Sequence, residues 1–189
     1  ADGSIQYGLG AIKGVGESAI SEILGIRQRL GPYRDLVDLC SKIDTRKVNR
    51  RVLEALIRAG ALDGIDPNRA QHIADLTSAL EIAEQSGTLS QTGQIDLFGL
   101  DETALNAAGN KPRPLAEPWN DAERLTHEKT TLGLYLTGHP IGQYESAFSA
   151  FITDRLGALT ERYDQGSMEG GYGRKQEKKV IVAGLVVDL

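Results

Sequence analysis

Cysteine, methionine and tryptophan each occur only once in this sequence of 189 residues. Because Cys40 is the single thiol, no disulfide can form within the chain, and this usage is typical of a reducing cytoplasm. Cys40 follows the apolar residues Leu36 and Leu39, which predicts a buried structural thiol rather than a nucleophile. The histidines have no cysteine or acidic partners at ligand spacing, so the sequence predicts neither a zinc site nor any other metal site.

Long apolar runs are also missing from the sequence. A helix that spans a bilayer needs about 20 consecutive apolar residues, and no stretch here reaches that length. A secretory signal pattern is likewise absent. We therefore expect a cytoplasmic protein without a membrane partner, folded as one domain or as two small ones.

The most informative segment present is Ile12-Lys13-Gly14-Val15-Gly16, which lies directly before an amphipathic stretch. Its two glycines permit a tight turn and the close approach of another chain, because neither carries a Cβ. The amides of such a turn and of the following helix start have no intrahelical acceptor and suit one anionic oxygen. We expect this hairpin to contact nucleic-acid backbone and ignore the bases, and both glycines to need dihedral angles that a β-branched residue would strain.

A second helix–turn–helix follows the first within about sixty residues. Apolar spacing predicts a helix that stops at Gly31, a short helix over 36–43, and a third helix that ends at Gly60. The turn over 44–49 lies between the last two, with Asn49 as the N-cap. This second turn has no Gly-x-Gly, so a phosphate contact there would depend on side-chain charge. The predicted DNA-contacting residues of the two hairpins are Lys13, Gly14, Val15, Gly16, Lys47, Asn49, Arg50 and Arg51.

Charge is segregated along the chain. Residues 1–62 carry 10 Lys and Arg against 7 Asp and Glu, a net charge of +3, whereas residues 63–189 carry 11 against 19, a net charge of −8. A lone Gly-x-Gly is more often an ordinary turn between core helices, but the doubled layout and this local positive charge favour a phosphate-binding face. A dinucleotide-binding fingerprint starting at Gly8 is excluded, because Lys13 stands where its third glycine belongs.

The middle of the chain alternates between helical and loose segments. A helix is predicted over 67–86, followed by a polar linker over 86–93 and a loose stretch that continues to Pro118. Within that stretch lie Leu97 and Phe98, which either dock on another protein or fold back onto neighbouring helices. The pattern alone leaves these two alternatives equal.

Helical signals return after Trp119. Asn120 and Glu123 form a capping-box pattern, and apolar spacing carries the predicted helix through Leu136. A shorter helix over 144–151 and a flexible loop over 165–173 come next. The β-branched run over 180–187 predicts a strand, and we expect it to be the first strand of a domain that these residues only begin.

Together these motifs closely resemble one family, the alpha subunit of bacterial DNA polymerase III, a replicative C-family polymerase. The resemblance covers nearly the whole chain and is carried by Tyr7–Glu17, by Val48–Ile57 with Ala59–Asp63, and by Glu128-Lys129 with Thr131–Pro140. It implies that residues 5–62 are a tandem helix-hairpin-helix unit that holds double-stranded DNA behind the polymerase active site. The family's catalytic aspartates and their Mg²⁺ would belong to a palm domain that precedes these residues, so the resemblance implies no catalytic residue and no cofactor within them.

The resemblance also implies protein partners. The segment Gln94–Phe98 would be an internal peptide that docks on the sliding clamp, the beta subunit, while other subunits of the polymerase III holoenzyme would bind elsewhere. Gln94 would bond at the rim of the clamp pocket, and Leu97 and Phe98 would fill it. The predicted clamp-binding residues are Gln94, Asp96, Leu97 and Phe98.

The predicted fold class is mainly α, with the tandem helix-hairpin-helix unit, further helices, a long clamp-binding loop and the truncated first strand of an OB domain. The predicted divisions are the DNA-binding domain 1–62, a connecting helix 63–87, the clamp-binding loop 88–118, a helical segment 119–160, a flexible linker 161–179 and the strand 180–189.

Two other functions compete with this interpretation. A stand-alone helix-hairpin-helix DNA glycosylase or nuclease would need a base-flipping pocket with placed acid and base residues, and no such spacing occurs in the sequence. A purely structural scaffold between the fingers and OB domains would bind neither DNA nor the clamp.

Overall fold

The computed structural model describes residues 7–91, 114–159 and 179–186. The chain divides into two compact units, Ala1–Leu136 and Thr137–Leu189. In the first unit a 3-10 turn, Leu9–Ala11, precedes five α-helices among the described residues. These are α1 Glu17–Leu30, α2 Leu36–Lys42, α3 Arg50–Arg58, α4 Arg69–Gln91 and α5 Asp121–Leu132. The mainly helical fold class predicted from the sequence is confirmed.

The predicted helix ends of the hairpin region are confirmed. Gly31 closes α1 with φ 84°, and Gly60 follows α3 with φ 80°, a conformation that glycine adopts without the steric cost of a Cβ. Asn49 caps α3, since its side chain accepts a hydrogen bond from the Val52 amide at 3.2 Å. Short polar side chains at these positions satisfy amides that the helix itself cannot.

Two helix boundaries differ from the prediction. Helix α4 continues through Gln91, past the predicted linker start at 86 and loop start at 88. Extending an established helix fixes one residue for each bond gained, so a single internal Gly87, which costs about 1 kcal/mol, does not stop it. Helix α5 ends at Leu132 rather than Leu136, because Gly133 takes the left-handed C-cap position with φ 80°. The capping box of Asn120 at the start of α5 is confirmed.

One hydrophobic core unites both hairpins with α4 and the end of α5. Its most deeply buried apolar side chains come from α1, α2, α3 and α4 and from the second hairpin. They include Ile26, Leu39, Val48, Leu53, Leu56, Ile57 and Leu76. Because the two helix–turn–helix units share these side chains, the hairpins are fixed relative to each other by packing.

A buried ionic cluster ties α5 to the hairpin region. The Arg69 guanidinium donates to both carboxylate oxygens of Asp63, at 2.8 and 2.6 Å, and to Glu128 Oε1 at 3.1 Å. Arg69 is 5% exposed and Glu128 is fully buried. Glu128 Oε2 accepts a further bond from the Leu136 amide at 2.8 Å. Burial alone would lower the pKa of Arg69, but the hydrogen bonds to its two carboxylates raise it.

The chain that leads into α5 is held against the start of α4. Asn68 Nδ2 donates to the Ala116 carbonyl at 3.0 Å, and the Ala116 amide donates to Gln71 Oε1 at 2.7 Å. These two bonds fix the position of the chain just before α5. The ionic cluster then fixes which face of α5 packs against the hairpin region.

In the second unit a 3-10 helix, Pro140–Tyr144, leads into α6, Glu145–Phe148. The predicted strand over 180–189 is not formed within the described residues 179–186. A strand requires a hydrogen-bonded ladder, whereas the backbone bonds of Ile181 here go to Thr153, at 3.0 and 2.9 Å. Whether this segment begins an OB domain stays a prediction.

Replacing Gly60 with alanine should destabilise the first unit. An L-residue in the left-handed region costs roughly 1–2 kcal/mol, and the added Cβ would also collide with the Arg69 guanidinium. We therefore expect Gly60→Ala to lower the free energy of unfolding in urea by at least about 1–2 kcal/mol. The matched control is Gly64→Ala, since a Cβ there meets no atom within 4 Å. Equal stability of the two variants would contradict the packing described here.

Candidate nucleic-acid interface

The first hairpin is formed by the backbone of residues 12–16. Ile12 and Val15 are 4% and 8% exposed, and the Val15 amide donates to the Ile12 carbonyl at 3.1 Å. The Val15 side chain therefore belongs to the core, and its amide is already bonded within the turn. Of the four residues predicted to contact DNA here, Val15 is placed to support the hairpin rather than to touch a ligand.

The two glycines of the hairpin differ in conformation. Gly14 has φ 86°, in the region where a Cβ is disfavoured, whereas Gly16 has φ −83° and ψ 160°, which any residue adopts. The expectation that both glycines need unusual dihedrals is therefore wrong for Gly16. It is the N-cap of α1, a position that requires extended rather than left-handed backbone. A Cβ at either glycine would meet no protein atom within 4 Å, so the surface in front of them is open.

Four amides of this hairpin and helix start have no protein acceptor among the described residues. They belong to Gly14, Gly16, Glu17 and Ser18. Unpaired amides at a helix N-terminus, together with the helix dipole, attract an anionic oxygen. Glu17 is exposed at the first position of α1, so its carboxylate is attracted by the same helix end and opposes a second anion there.

Lys13 connects the hairpin to α5. Its amide donates to the Thr131 carbonyl at 2.9 Å, so this amide is not available to a phosphate. A Cβ at Gly133 would stand 4.0 Å from Lys13 Nζ, which places the exposed ammonium beside the C-terminus of α5. Cations are favoured at that end of a helix. Lys13 remains positioned at the edge of the hairpin, held there by its backbone.

Tyr7 makes a second connection between the hairpin and α5. Its hydroxyl donates to the Leu132 carbonyl at 3.1 Å. With the Lys13 bond, it satisfies two of the carbonyls that the last turn of a helix leaves without intrahelical donors. The loop geometry of the first hairpin therefore depends on a helix more than one hundred residues away in sequence.

The second hairpin is closed by its own backbone and by Asp44. The amides of Lys47 and Val48 both donate to the Asp44 carbonyl, each at 2.9 Å. Asp44 Oδ1 accepts the Arg46 amide at 3.0 Å and Arg46 Nε at 3.2 Å. The amides of residues 46–48 are therefore not available to a phosphate, whereas the amides of Asn49, Arg50 and Arg51 at the start of α3 have no acceptor among the described residues. The side-chain charge on which the second turn was predicted to depend is supplied by Lys47, Arg50 and Arg51, and their contact with a phosphate stays a prediction.

The basic side chains of the second hairpin are partly engaged within the protein. Lys47 Nζ lies 2.8 Å from Glu22 Oε2 on α1. Arg50 Nε donates to Glu54 at 2.9 Å and its Nη1 to Thr77 at 3.1 Å. Arg51 is exposed, and no ion pair joins it to any described residue. Asn49, the remaining predicted contact, uses its side chain to cap α3.

The Glu22 and Lys47 pair shifts the titration of both partners. The hydrogen bond from Lys47 lowers the pKa of Glu22, and the same bond raises the pKa of Lys47. Both groups are therefore charged across the neutral range, and the ammonium is partly compensated by a carboxylate from the neighbouring helix.

Several residues of this interface had no signal of their own in the sequence. Tyr7, Thr131 and Glu22 act through contacts between distant segments, which periodicity and turn motifs do not report. Tyr7, Thr131 and Glu128 lay within segments of family resemblance, but what each of them contacts is visible only in the fold.

The structure also bears on the predictions for Cys40, for membrane-spanning helices and for metal sites. Cys40 is 1% exposed, and burial raises the pKa of its thiol to about 11, so the prediction of a buried structural thiol is confirmed. No helix in the described part of the chain is long and apolar enough to cross a membrane. Within that same part, no three metal-ligating side chains come together. The predicted clamp-binding residues Gln94, Asp96, Leu97 and Phe98 lie outside the described residues.

Removing the Tyr7 hydroxyl should loosen the first hairpin without unfolding the unit. A typical intramolecular hydrogen bond contributes about 0.5–1.5 kcal/mol, so Tyr7→Phe should lower stability by that amount. Hydrogen exchange of the Lys13 amide should accelerate, because its bond to Thr131 lies beside the lost contact. Tyr33→Phe, which loses a bond to the Ile23 carbonyl inside α1, is the matched control and should leave that amide unchanged.

Comparisons with known proteins bear on the whole chain. Residues 1–72 match the helix-hairpin-helix motif family. Over 90% of its length the chain is 43% identical to the DNA polymerase III subunit alpha of Vibrio cholerae serotype O1. It is 40% identical to that subunit in Escherichia coli K12 over 98% of its length, and 40% identical in Pseudomonas aeruginosa over 89%.

The chain spans 15% of the Vibrio cholerae and Escherichia coli proteins and 16% of the Pseudomonas aeruginosa protein. The family resemblance derived from the motifs is thereby confirmed. This chain carries a helix-hairpin-helix motif and is related, over nearly its whole length, to one segment of the alpha subunit of bacterial DNA polymerase III.

Proposed function

We propose that residues 7–62 bind the backbone of double-stranded DNA. They would do so as a segment of a cytoplasmic replicative polymerase whose active site lies outside this segment. The observation that carries this proposal is the group of four unpaired amides at Gly14, Gly16, Glu17 and Ser18. Two of the four residues are glycines, at which a Cβ would meet no atom within 4 Å, so the surface beside these amides is open. Hydrogen bonds from amides to phosphate position a protein on DNA without reading sequence.

The second hairpin would complement the first through charge. Lys47, Arg50 and Arg51 place cationic side chains on or next to the turn, and phosphate contacts by such groups release counterions. Two hairpins that neutralise roughly two to four phosphates would give a log–log salt slope of about −2 to −4. The net charge of −8 on residues 63–189 opposes binding. We therefore expect weak, sequence-blind affinity, about 10⁻⁴ M at physiological salt.

The glycine at the helix start offers the sharper test of this proposal. Gly16→Val keeps an allowed backbone conformation but adds a branched side chain next to the unpaired amides, where it would hinder the approach of a phosphate. A hydrogen bond to a charged group contributes about 1.5–3 kcal/mol, so binding should weaken roughly tenfold or more. Lys13→Ala should cost less, because one exposed cation is lost while the amides stay open. Fluorescence anisotropy with a mixed-sequence duplex at low salt measures both effects.

The matched control for this experiment is Gly25→Val, which adds the same side chain within α1 where a Cβ meets no atom. Circular dichroism and melting temperature show that each variant is folded. Normal DNA binding by a folded Gly16→Val protein, or a preferred DNA sequence for the unmodified chain, would contradict backbone binding at this hairpin. Cleavage of a damaged duplex by the chain would instead support a glycosylase or nuclease.

We further propose that the segment Gln94–Phe98 docks on the sliding clamp, the beta subunit of the holoenzyme. The support is the family relationship and the pattern of an apolar pair, Leu97 and Phe98, in the long connection between α4 and α5. Gln94 and Asp96 would make the polar contacts at the rim of the clamp pocket. Other holoenzyme subunits and the Mg²⁺-dependent chemistry would be served by parts of the polymerase that these residues do not include.

Truncating Phe98 tests the clamp proposal separately from DNA binding. Burying Leu97 and Phe98 contributes about 1.5–3 kcal/mol each, against an association cost of at least about 4 kcal/mol. Affinity for the purified clamp should therefore be micromolar at best, and Phe98→Ala should abolish it while the DNA titration is unchanged. Phe151→Ala, at a phenylalanine that is 70% exposed, is the control. A fall of several degrees in the melting temperature of Phe98→Ala would show instead that Phe98 belongs to the core.

A further inference from the structure

The carboxylate of Glu22 forms an ion pair with the ammonium of Lys47 in the second hairpin. Glu22 Oε2 lies 2.8 Å from Lys47 Nζ, and the two residues are 25 positions apart. The Glu22 side chain is 18% exposed and that of Lys47 is 51% exposed. The pair therefore sits at the surface, where an anion from solution can reach the lysine.

This contact differs from the other ion pairs of the second hairpin. Arg46 pairs with Asp44 two residues earlier, and Arg50 pairs with Glu54 four residues later. Those carboxylates belong to the same turn or helix as their partners. Glu22 comes from α1, the helix whose N-terminus carries the unpaired amides of the first hairpin. One helix thus presents donors for an anion at its start and, one to two turns later, an anion of its own.

We propose that Glu22 competes with DNA phosphate for Lys47 and so sets the affinity of the second hairpin. This inference rests on the proposed DNA binding of the hairpins. In the free protein the Glu22 carboxylate takes the place that a phosphate oxygen would occupy on the lysine. When a phosphate arrives, Lys47 must exchange one anion for another, and the displaced carboxylate then lies close to the DNA backbone.

The exchange has a definite electrostatic consequence. Counterions are released from the DNA when its phosphates are neutralised. A lysine whose charge is already balanced by a carboxylate neutralises less phosphate charge than a free lysine, so it adds less to the salt dependence of the affinity. Glu22 also adds like-charge repulsion toward the bound phosphate, which exposed charges feel within a Debye length of about 10 Å at 0.1 M salt. Both effects weaken binding, and both disappear when the carboxylate is replaced by an amide.

The experiment compares Glu22→Gln with the unmodified chain by fluorescence anisotropy on a mixed-sequence duplex over a series of salt concentrations. Exposed ion pairs change an equilibrium constant by about twofold to fivefold, so Glu22→Gln should bind that much more tightly at low salt. Its log–log salt slope should steepen by about 0.9, the value for one additional neutralised phosphate. Glu81→Gln is the control, because it removes the same charge from an exposed position on α4 that joins no ion pair among the described residues.

The double variant Glu22→Gln/Lys47→Ala identifies the lysine as the target. If Glu22 acts through Lys47, then Glu22→Gln in the Lys47→Ala background should change affinity no more than Glu81→Gln does. An effect of the same size in both backgrounds would overturn the inference, since it would come from general repulsion. A salt slope for Glu22→Gln equal to that of Glu81→Gln, or weaker binding in a variant with unchanged melting temperature, would also overturn it.

Failure of the inference and failure of the proposed function give different results. If the unmodified chain binds no DNA, both are refuted. If Gly16→Val weakens binding while Glu22→Gln matches its control, DNA binding by the hairpins stands and the role of Glu22 alone is refuted.

Discussion

The buried pairing of Arg69 with Asp63 and Glu128 is the interaction on which the first unit depends. Glu128 is fully buried, and a buried carboxylate without a partner costs several kcal/mol, so α5 can dock only where the guanidinium meets it. The cluster also explains Gly60, since the guanidinium packs where a side chain would otherwise project. Once α5 is fixed, its last carbonyls are in place to receive Lys13 and Tyr7 of the first hairpin.

The two hairpins offer different groups to an anion. The first presents unpaired amides beside two glycines, whereas the second bonds the amides of residues 46–48 within the turn and adds cationic side chains. The amides of the first hairpin are held in place by the backbone, whereas the flexible side chain of Lys47 is already compensated by Glu22. Under the proposed function, weak contacts of both kinds would suit a protein that must move along DNA. Simultaneous engagement of DNA and clamp would raise the effective concentration of each site without any new contact.

Local sequence predicted the helix boundaries best where caps and stops decide them. The positions of Asn49, Gly60 and Asn120 follow from side-chain acceptors and left-handed backbone, which act over three or four residues. Boundaries were predicted less well where a glycine can either continue a helix or end it. Gly87 did not end α4, whereas Gly133 took the left-handed C-cap conformation and ended α5.

The sequence by itself determined that the chain is helical, that positive charge gathers in residues 1–62, and that a Gly-x-Gly turn precedes α1. These properties reside in neighbouring residues and need no knowledge of distant ones. Only the tertiary structure decided that Val15 is a core residue, that the Lys13 amide is already bonded and that Lys47 faces Glu22. Each of these outcomes depends on which segments the core brings together, because hydrogen bonds and ion pairs act over a few ångströms in space regardless of separation along the chain.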